Sequence, residues 1–270
     1  KNLVSDIIKV RADNKLDKEK ILWDAMFSYG KYGAKSPYTD IMTEQELAAI
    51  DPMLLINAIK ELPNYKQKIL YYGPLSEDAL KTKLNNDYTL IPDNLKEAPV
   101  PVKYEELTTS DNTVYVVNYP DMVQAEILML TKKENYDKDK IPYIALYNEY
   151  FGGGMAGIVF QELRESKALA YSTFSSFTIP NKKEKAHYNH AYIGTQSDKL
   201  PEAMTGLFQL LNDMPESEIT YNSAKDNLIQ KFNTERITKA GILNSYLSAQ
   251  KLGLDHDIRK DIYDKAQTLS

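Results

Sequence analysis

The stretch FGGGMAGIVFQELRESKALAYS, residues 151–172, combines three consecutive glycines with an apolar helical stripe, Arg164 and Tyr171. The glycines are typical of a helix end that is followed by a sharp change in chain direction. After them, apolar residues recur at helical spacing and predict a helix with one buried face: Met155, Ile158, Val159 and Leu163. Arg164 falls near the end of that helix, and Tyr171 falls at the start of the next segment.

A phosphate-binding loop is excluded for this stretch. A Walker loop needs GxxxxGK[ST], so that a lysine and a hydroxyl group reach phosphate and magnesium, whereas Ile158 and Val159 follow Gly157 here. A dinucleotide-binding turn follows a strand, whereas these glycines follow the helical pattern YIALYNEYF. The segment is therefore either a structural hinge before a buried helix or part of a functional site.

The order of predicted elements around this stretch indicates the fold class. Helices dominate, Thr43 opens a capping box with Glu46, and Asp51-Pro52 starts another helix. Paired strands with grouped helices predict an α+β fold: a two-layer α/β sandwich with a mainly antiparallel sheet, helices packed on one face, and flanking helices. The strand-like segments are 68–73, 114–119, 124–130, 173–179 and 188–195.

Composition excludes several classes of protein. The 270 residues carry a net charge of −5, which argues against a nucleic-acid binder, and they contain no cysteine for a disulfide or a thiolate zinc site. No apolar run reaches the length of a membrane span. The chain starts at Lys1 without a methionine, and we interpret it as a fragment of a longer protein. Its Lys, Asn and Tyr content favours a bacterial periplasm or cell envelope.

The three histidines do not predict a metal site. His187 and His190 are three apart in a predicted strand, where they point to opposite faces, and His256 lies in a loop after Gly253. Neither HxxEH nor HExxH occurs in the sequence. We therefore expect no metal ligand, no cofactor and no catalytic residue within this chain.

The segment from the glycines to Tyr171 resembles one found in the pitrilysin–insulinase–mitochondrial processing peptidase family of inverted HxxEH zinc metallopeptidases. In that family a small or glycine-rich turn leads to S-x-L-F-x-x-L-R-x-x-x-x-L-x-Y. This sequence departs from the pattern at 157–159, which reads Gly-Ile-Val. Weaker likenesses at 32–52, 64–84 and 215–232 extend the resemblance over about residues 30–236. The matching residues are Phe160, Leu163, Arg164, Leu169 and Tyr171.

The resemblance implies that the chain is a zinc-free, substrate-binding portion, from the C-terminal half of such a metalloendopeptidase. Arg164 and Tyr171 would then be the substrate-binding residues. The zinc and the HxxEH motif would belong to a catalytic lobe in the same full-length chain or in a partner subunit, so the fragment alone should be inactive. Residues 1–63 would be a helical segment that ends a preceding lobe, 64–236 an α/β peptidase-like domain with a linker at 87–105, and 237–270 a helical tail.

Other interpretations stay open at this point. Arg164 is also explained as a surface arginine near a helix end, paired with Gln161 or Glu165, and Tyr171 as an ordinary strand tyrosine. The whole chain is also explained as a non-catalytic scaffold or assembly subunit, or as a free-standing peptide-binding module. The segment 173–179 offers an edge to which an extended peptide could add as a strand.

Overall fold

The computed structural model describes residues 2–87, 94–108, 110–120 and 122–269. These residues form two compact units, each described here by itself. The first unit comprises Lys1–Asp17 and Ala34–Glu105, and the second comprises Lys18–Gly33 and Glu106–Ser270. The domain boundaries predicted at residues 63 and 236 stay a prediction. Part of the predicted linker, 88–93, lies outside the described residues, and 94–105 form neither helix nor strand apart from one bridge at Lys96.

The helices and strands are numbered here along the chain. The helices are α1 (Asn2–Asn14), α2 (18–32, with a π-helical middle at Ile21–Met26), α3 (Glu44–Ala49), α4 (Pro52–Glu61), α5 (Glu77–Asp87), α6 (141–152, π-helical over Asn148–Gly152), α7 (158–166, π-helical over Gln161–Ser166), α8 (Leu200–Asn212), α9 (Glu218–Thr234), α10 (Lys239–Leu252) and α11 (Ile258–Thr268). The strands are β1 (Gln124–Asn135), β2 (Ser172–Thr178) and β3 (Ala186–Gln196).

The first unit is helical, and its helix starts follow the sequence. Thr43 accepts a hydrogen bond from the Glu46 backbone nitrogen, and the Glu46 carboxylate accepts one from Thr43, so the predicted capping box is confirmed. Asp51 caps α4 ahead of Pro52, as predicted. The strand predicted at 68–73 is wrong. The Tyr71 hydroxyl accepts a bond from the Leu75 backbone nitrogen across a turn, and no strand within the described ranges pairs with this apolar run.

The second unit is built on a three-stranded antiparallel sheet in the order β1-β3-β2. Ile127, Ile193 and Thr173 lie side by side across it. The strands predicted at 124–130, 173–179 and 188–195 are confirmed, and so is the predicted α+β fold. The strand predicted at 114–119 is wrong, because that segment joins no strand of the described structure and Val114 and Val116 are each 83% exposed.

One face of the sheet carries the main hydrophobic core. Ile193 and Ala191 on β3 pack with side chains of the helices that follow, and Leu163, Val159 and Leu207 are fully buried among them. The helices that contribute buried residues to this core are α6, α7, α8, α9 and α11. This layer matches the predicted packing of helices on one face.

The opposite face is covered by α2, a flanking helix. The Trp23 ring stacks 5.8 Å from Phe174 and lies 5.1 Å from Tyr192, which face away from the main core. Phe27 meets His190 edge-on at 5.2 Å on the same face. Because both faces are covered, the sheet is a rigid platform for the residues at its ends.

A buried ion-pair cluster ties the end of α2 to the sheet. The Glu106 carboxylate, whose side chain is 8% exposed, lies 3.5 Å from Lys31 and 3.3 Å from Lys185. Burial alone would raise the pKa of Glu106, but the two lysines outweigh it and lower that pKa. Glu106 therefore stays ionised in this unit at neutral pH.

Candidate functional site

The glycine turn between α6 and α7 is fixed by a close approach of two backbones. A Cβ atom on Gly152 would fall 1.6 Å from the carbonyl oxygen of Ser175 on β2. Gly154 has a φ of +62° and faces open space, so it is glycine for its backbone conformation alone. The predicted interpretation of this stretch as a hinge before a buried helix is confirmed, because Val159 and Leu163 after it are fully buried.

The helix α7 presents Arg164 on a π-helical turn. The Lys167 backbone nitrogen donates to the Glu162 carbonyl, five residues earlier, and the buried Leu163 carbonyl accepts bonds from Leu169 and Ala170. These contacts widen the last turn of the helix and end it. Such π-helical turns are frequent at functional sites.

The short loop between α7 and β2 is held at several points. Ala168 adopts a φ of +49°, a left-handed conformation that is uncommon for a residue with a Cβ atom. The Lys199 ammonium donates to the Ala168 carbonyl at 3.3 Å, and the Thr195 hydroxyl donates to the Leu169 carbonyl at 2.7 Å. The Tyr171 backbone nitrogen then donates to Gly194 at 2.8 Å, which fixes where the tyrosine leaves the loop.

Arg164 and Tyr171, the residues that the family resemblance implies, lie together in the structure. The Arg164 guanidinium carbon is 4.8 Å from the centre of the Phe160 ring and 5.9 Å from that of Tyr171, within cation–π range. Tyr171 is 74% exposed, and Arg164 is exposed as well. Neither side chain contributes to the core, so the pair can meet a ligand.

The ion pairs around Arg164 are weak. Its Nε atom is 3.7 Å from Glu165, one of the two partners expected of a surface arginine. The other, Gln161, instead donates its amide hydrogen to the Met155 carbonyl. Exposed pairs at such distances contribute about 0–1 kcal/mol, so the guanidinium can exchange Glu165 for another acceptor.

A small cavity adjoins Tyr171 and contains residues that the sequence did not single out. Its volume is about 180 Å³. Gln124 and Gln196 reach it from the ends of β1 and β3, where they are direct cross-strand neighbours, and Lys199 reaches it from the start of α8. The pairing of β1 with β3 brings Gln124 to Gln196, and the docking of α8 brings Lys199 to the same cavity. A single sequence does not reveal these long-range contacts. The lining residues are Gln124, Ala168, Leu169, Ala170, Tyr171, Thr195, Gln196 and Lys199.

The edge of β2 is occupied where an added peptide strand would pair. The Phe177 backbone nitrogen donates to the Asn148 side-chain oxygen at 2.7 Å, and the Asn148 amide donates back to the Phe177 carbonyl at 2.9 Å. The Ser175 carbonyl is covered by Gly152. The expectation of peptide addition along 173–179 is therefore wrong over 175–177, because these backbone groups already have neighbours.

The histidines do not fit a zinc site. His187 is fully buried: its Nδ1 atom faces the Thr178 carbonyl at 2.9 Å, and its Nε2 atom accepts from the Asp137 backbone nitrogen at 3.3 Å. A carbonyl can only accept and a backbone N–H can only donate, so both ring nitrogens of His187 already take part in hydrogen bonds. Among the described residues, no group of three or more His, Cys, Asp or Glu side chains is placed to share a metal ion.

The other two histidines have opposite environments. His190 points to the α2 face, as its spacing from His187 predicts, and burial and then Lys31 lower its pKa. Exposed His256 bonds to Asp255 through Nδ1 at 2.6 Å and to Asp261 through Nε2 at 2.8 Å. Both hydrogen bonds raise the pKa of His256, and the bond to Asp255 has the larger effect. Neither histidine adjoins Tyr171.

Comparison with family models gives one match. Residues 63–223 match the model described as the peptidase M16 inactive domain, which is more than half of the chain. Comparison with curated proteins gives no match. No helix in the described ranges is both long and apolar enough to cross a bilayer.

Several solved structures share the fold. A peptidase M16 inactive domain from Pseudomonas fluorescens aligns with a TM-score of 0.69 and 17% identity, over 100% of this chain and 63% of that one. A protease from Helicobacter pylori aligns at 0.66 and 16%, over 99% of this chain and 67% of that one. The ferredoxin protease FusC, solved in complex with Arabidopsis ferredoxin, aligns at 0.69 and 13%, over 98% of this chain and 29% of that one.

These structural likenesses establish the fold alone, because all three identities are low. The chain spans about 63% of the length of the Pseudomonas fluorescens structure and 29% of FusC. The activity of a whole peptidase therefore does not transfer to this chain by similarity.

Proposed function

Since the chain belongs to the peptidase M16 family, through a match to its inactive domain, we propose that it is the zinc-free, substrate-binding portion of a pitrilysin-like metalloendopeptidase. Family membership confirms the resemblance predicted from the segment that ends at Tyr171. In the proposed role the chain helps to enclose a peptide and positions it for hydrolysis by a catalytic lobe. That lobe carries HxxEH and zinc, and it lies in the same full-length chain or in a partner subunit.

The observation that carries this proposal is the exposed contact between Arg164 and Tyr171. The guanidinium offers several directed donors to peptide carbonyl oxygens or carboxylates. The tyrosine hydroxyl can donate to the oxygen that becomes negative when a peptide carbonyl is attacked. Both groups bind and orient, and neither replaces a metal or a base. The chain alone is therefore expected to be inactive.

The same arrangement supports binding of an extended peptide without help from the β2 edge. The last turn of α7 and the loop before β2 place two donors side by side beside a cavity of about 180 Å³. Phe160 adds an apolar surface under the guanidinium. A peptide main chain with one side chain directed into the cavity fits this combination.

The alternative function is a non-catalytic scaffold or assembly subunit that retains the peptidase fold. The observation in its favour is that exposed apolar side chains outside the site are abundant: Leu54 on α4 is 63% exposed and Ile59 is 66% exposed. The two functions are distinguished by the rest of the protein. An HxxEH motif in the full-length chain or in the product of a neighbouring gene favours the peptidase portion, and absence of the motif from both favours the scaffold.

The direct test is peptide cleavage by the full-length protein, with any HxxEH-bearing partner present. The double variant Arg164→Ala, Tyr171→Phe should lower kcat/KM by about 100-fold, because removal of one oxyanion donor alone costs about 10²–10³ in kcat. Retention of normal peptidase activity by this variant would show that the pair has no role in substrate binding.

Matched controls use an arginine and a tyrosine elsewhere on the surface. Arg236 is exposed, and Tyr143 is 50% exposed with the Lys265 ammonium 5.3 Å from its ring. The control variant Arg236→Ala, Tyr143→Phe makes the same chemical changes and should keep normal activity.

A periplasmic or envelope location stays a prediction from composition, and cell fractionation tests it.

A further inference from the structure

The cavity beside Tyr171 contains Lys199, whose positive charge has no ion-pair partner among the described residues. Lys199 is half-buried at the position that precedes α8, and the bond it makes there is to the Ala168 carbonyl at 3.3 Å. No carboxylate in the described part of the chain lies within ion-pair distance of it. An ammonium group has three donors, so two of them stay available to a ligand.

The groups that share the cavity with Lys199 can complete a site for a planar, oxygen-bearing group. Gln124 and Gln196 stand opposite each other at the ends of β1 and β3, and each amide can donate. Tyr171 forms another part of the wall and also contacts Arg164, so the cavity is continuous with the proposed peptide-binding pair.

We propose that this cavity is a carboxylate subsite in which Lys199 binds an acidic group of the peptide. The inference rests on the proposed function and adds a substrate preference to it. The group is the side chain of an Asp or Glu residue, or the carboxyl terminus of the peptide, because all three present the same planar anion. The cavity volume of about 180 Å³ accommodates one such side chain.

Charge favours a carboxylate over a neutral ligand at this position. The neighbouring cations each have a nearby carboxylate, since Arg164 lies 3.7 Å from Glu165 and Lys167 lies 3.8 Å from Glu162. Lys199 lies deeper than either of them and lacks such a partner among the described residues. A charge-assisted hydrogen bond to a ligand carboxylate is about twice as strong as one between neutral groups.

The test measures binding of fluorescent peptides to the full-length protein, with metal removed by a chelator so that no peptide is cleaved. Peptide pairs differ by Glu or Gln at one position at a time, and one further pair differs by a free or an amidated carboxyl terminus. We expect one pair to show about five- to tenfold tighter binding of the carboxylate form, with the preference reduced at high ionic strength. The identity of that pair distinguishes a side chain from a chain end.

Three variants assign the preference to Lys199. Lys199→Gln keeps a donor for the Ala168 carbonyl but removes the charge, and it should abolish the preference. Lys199→Arg should keep the preference. Lys133→Gln removes an exposed lysine near the other end of β1, about 30 Å from Gln124, and should change nothing.

The outcomes separate this inference from the proposed function. If peptides bind through Arg164 and Tyr171, but no pair shows a carboxylate preference or Lys199→Gln retains it, the carboxylate subsite is wrong and the proposed function stands. If the wild-type protein binds no peptide, both are wrong. Thermal unfolding of Lys199→Gln within a few degrees of wild type shows that a lost preference is not lost folding.

Discussion

Gly152 and Gly154 are two residues apart in the sequence, and each position requires glycine for a different physical reason. At Gly152 the obstacle is backbone, since the Ser175 carbonyl occupies the position of a side chain. At Gly154 the obstacle is only the positive φ, because no atom lies within 4 Å of an added Cβ. The turn therefore places α6 directly against β2, and α7 starts from there toward Arg164.

This difference predicts unequal costs of the same substitution. Gly152→Ala should lower the free energy of unfolding by more than about 4 kcal/mol, or prevent folding, because backbone must move to admit the methyl group. Gly154→Ala should cost about 1–2 kcal/mol, the usual cost of a left-handed conformation for a residue with a Cβ. Urea unfolding of both variants checks this, and equal costs would contradict the close approach to Ser175.

Among the elements, β3 shows how far the sequence predicts the structure. Its alternation, and that of 124–130 and 173–179, correctly indicated strands because each segment has one face toward a core. The segments 68–73 and 114–119 have similar apolar and aromatic composition, but no strand in the described part of the chain neighbours them, as the exposure of Val114 illustrates. Strand propensity describes a side chain that fits a sheet, and it does not supply the partner strand.

The same limit applies to the candidate site. The resemblance of one local segment implied Arg164 and Tyr171, and the structure brings them together because a helix end and one short loop separate them. Gln124 and Lys199 were not predictable, because only the pairing of β1 with β3 and the docking of α8 bring them to Tyr171. Long-range register is therefore the part of the site that a single sequence does not contain.

The position of His190 between β3 and α2 predicts a pH-dependent stability. Its Nε2 atom is buried without a hydrogen-bond partner in the described structure, and its pKa is lowered, so the unfolded chain binds this proton more tightly. Neutral His190 contributes its full stabilisation above about pH 6.5, the pKa of histidine in the unfolded chain. That contribution is lost as the pH falls through the lower pKa of His190 in the folded protein. Urea midpoints measured from pH 7.5 to 5 should therefore decrease.

Two variants isolate this effect. His190→Phe should flatten the decrease below about pH 6.5, because the ring that must be protonated is gone. His256→Gln should leave that acid decrease in place, since the pKa of His256 is raised and its stability contribution is lost only as the pH rises above about 6.5. An unchanged acid decrease in His190→Phe would show that other groups cause it.

The whole chain is an acidic member of the peptidase M16 family, and none of its three histidines belongs to a metal-binding group among the described residues. Its sheet is covered on both faces, and α7 and the loop before β2 carry Arg164 and Tyr171 at the protein surface. In the proposed function the described residues bind and position a peptide, and its cleavage needs groups from a catalytic lobe. We therefore expect a peptide bound by the complete enzyme to contact the surface that carries Arg164 and Tyr171.

Photo-crosslinking detects this contact between the peptide and the protein. A peptide substrate that carries a benzophenone side chain is irradiated with the metal-depleted full-length protein, and the labelled residues are identified by mass spectrometry. We expect adducts within 160–171, lost in the variant Arg164→Ala, Tyr171→Phe and retained in Arg236→Ala, Tyr143→Phe. Adducts confined to other parts of the protein, or unchanged in the first variant, would contradict it.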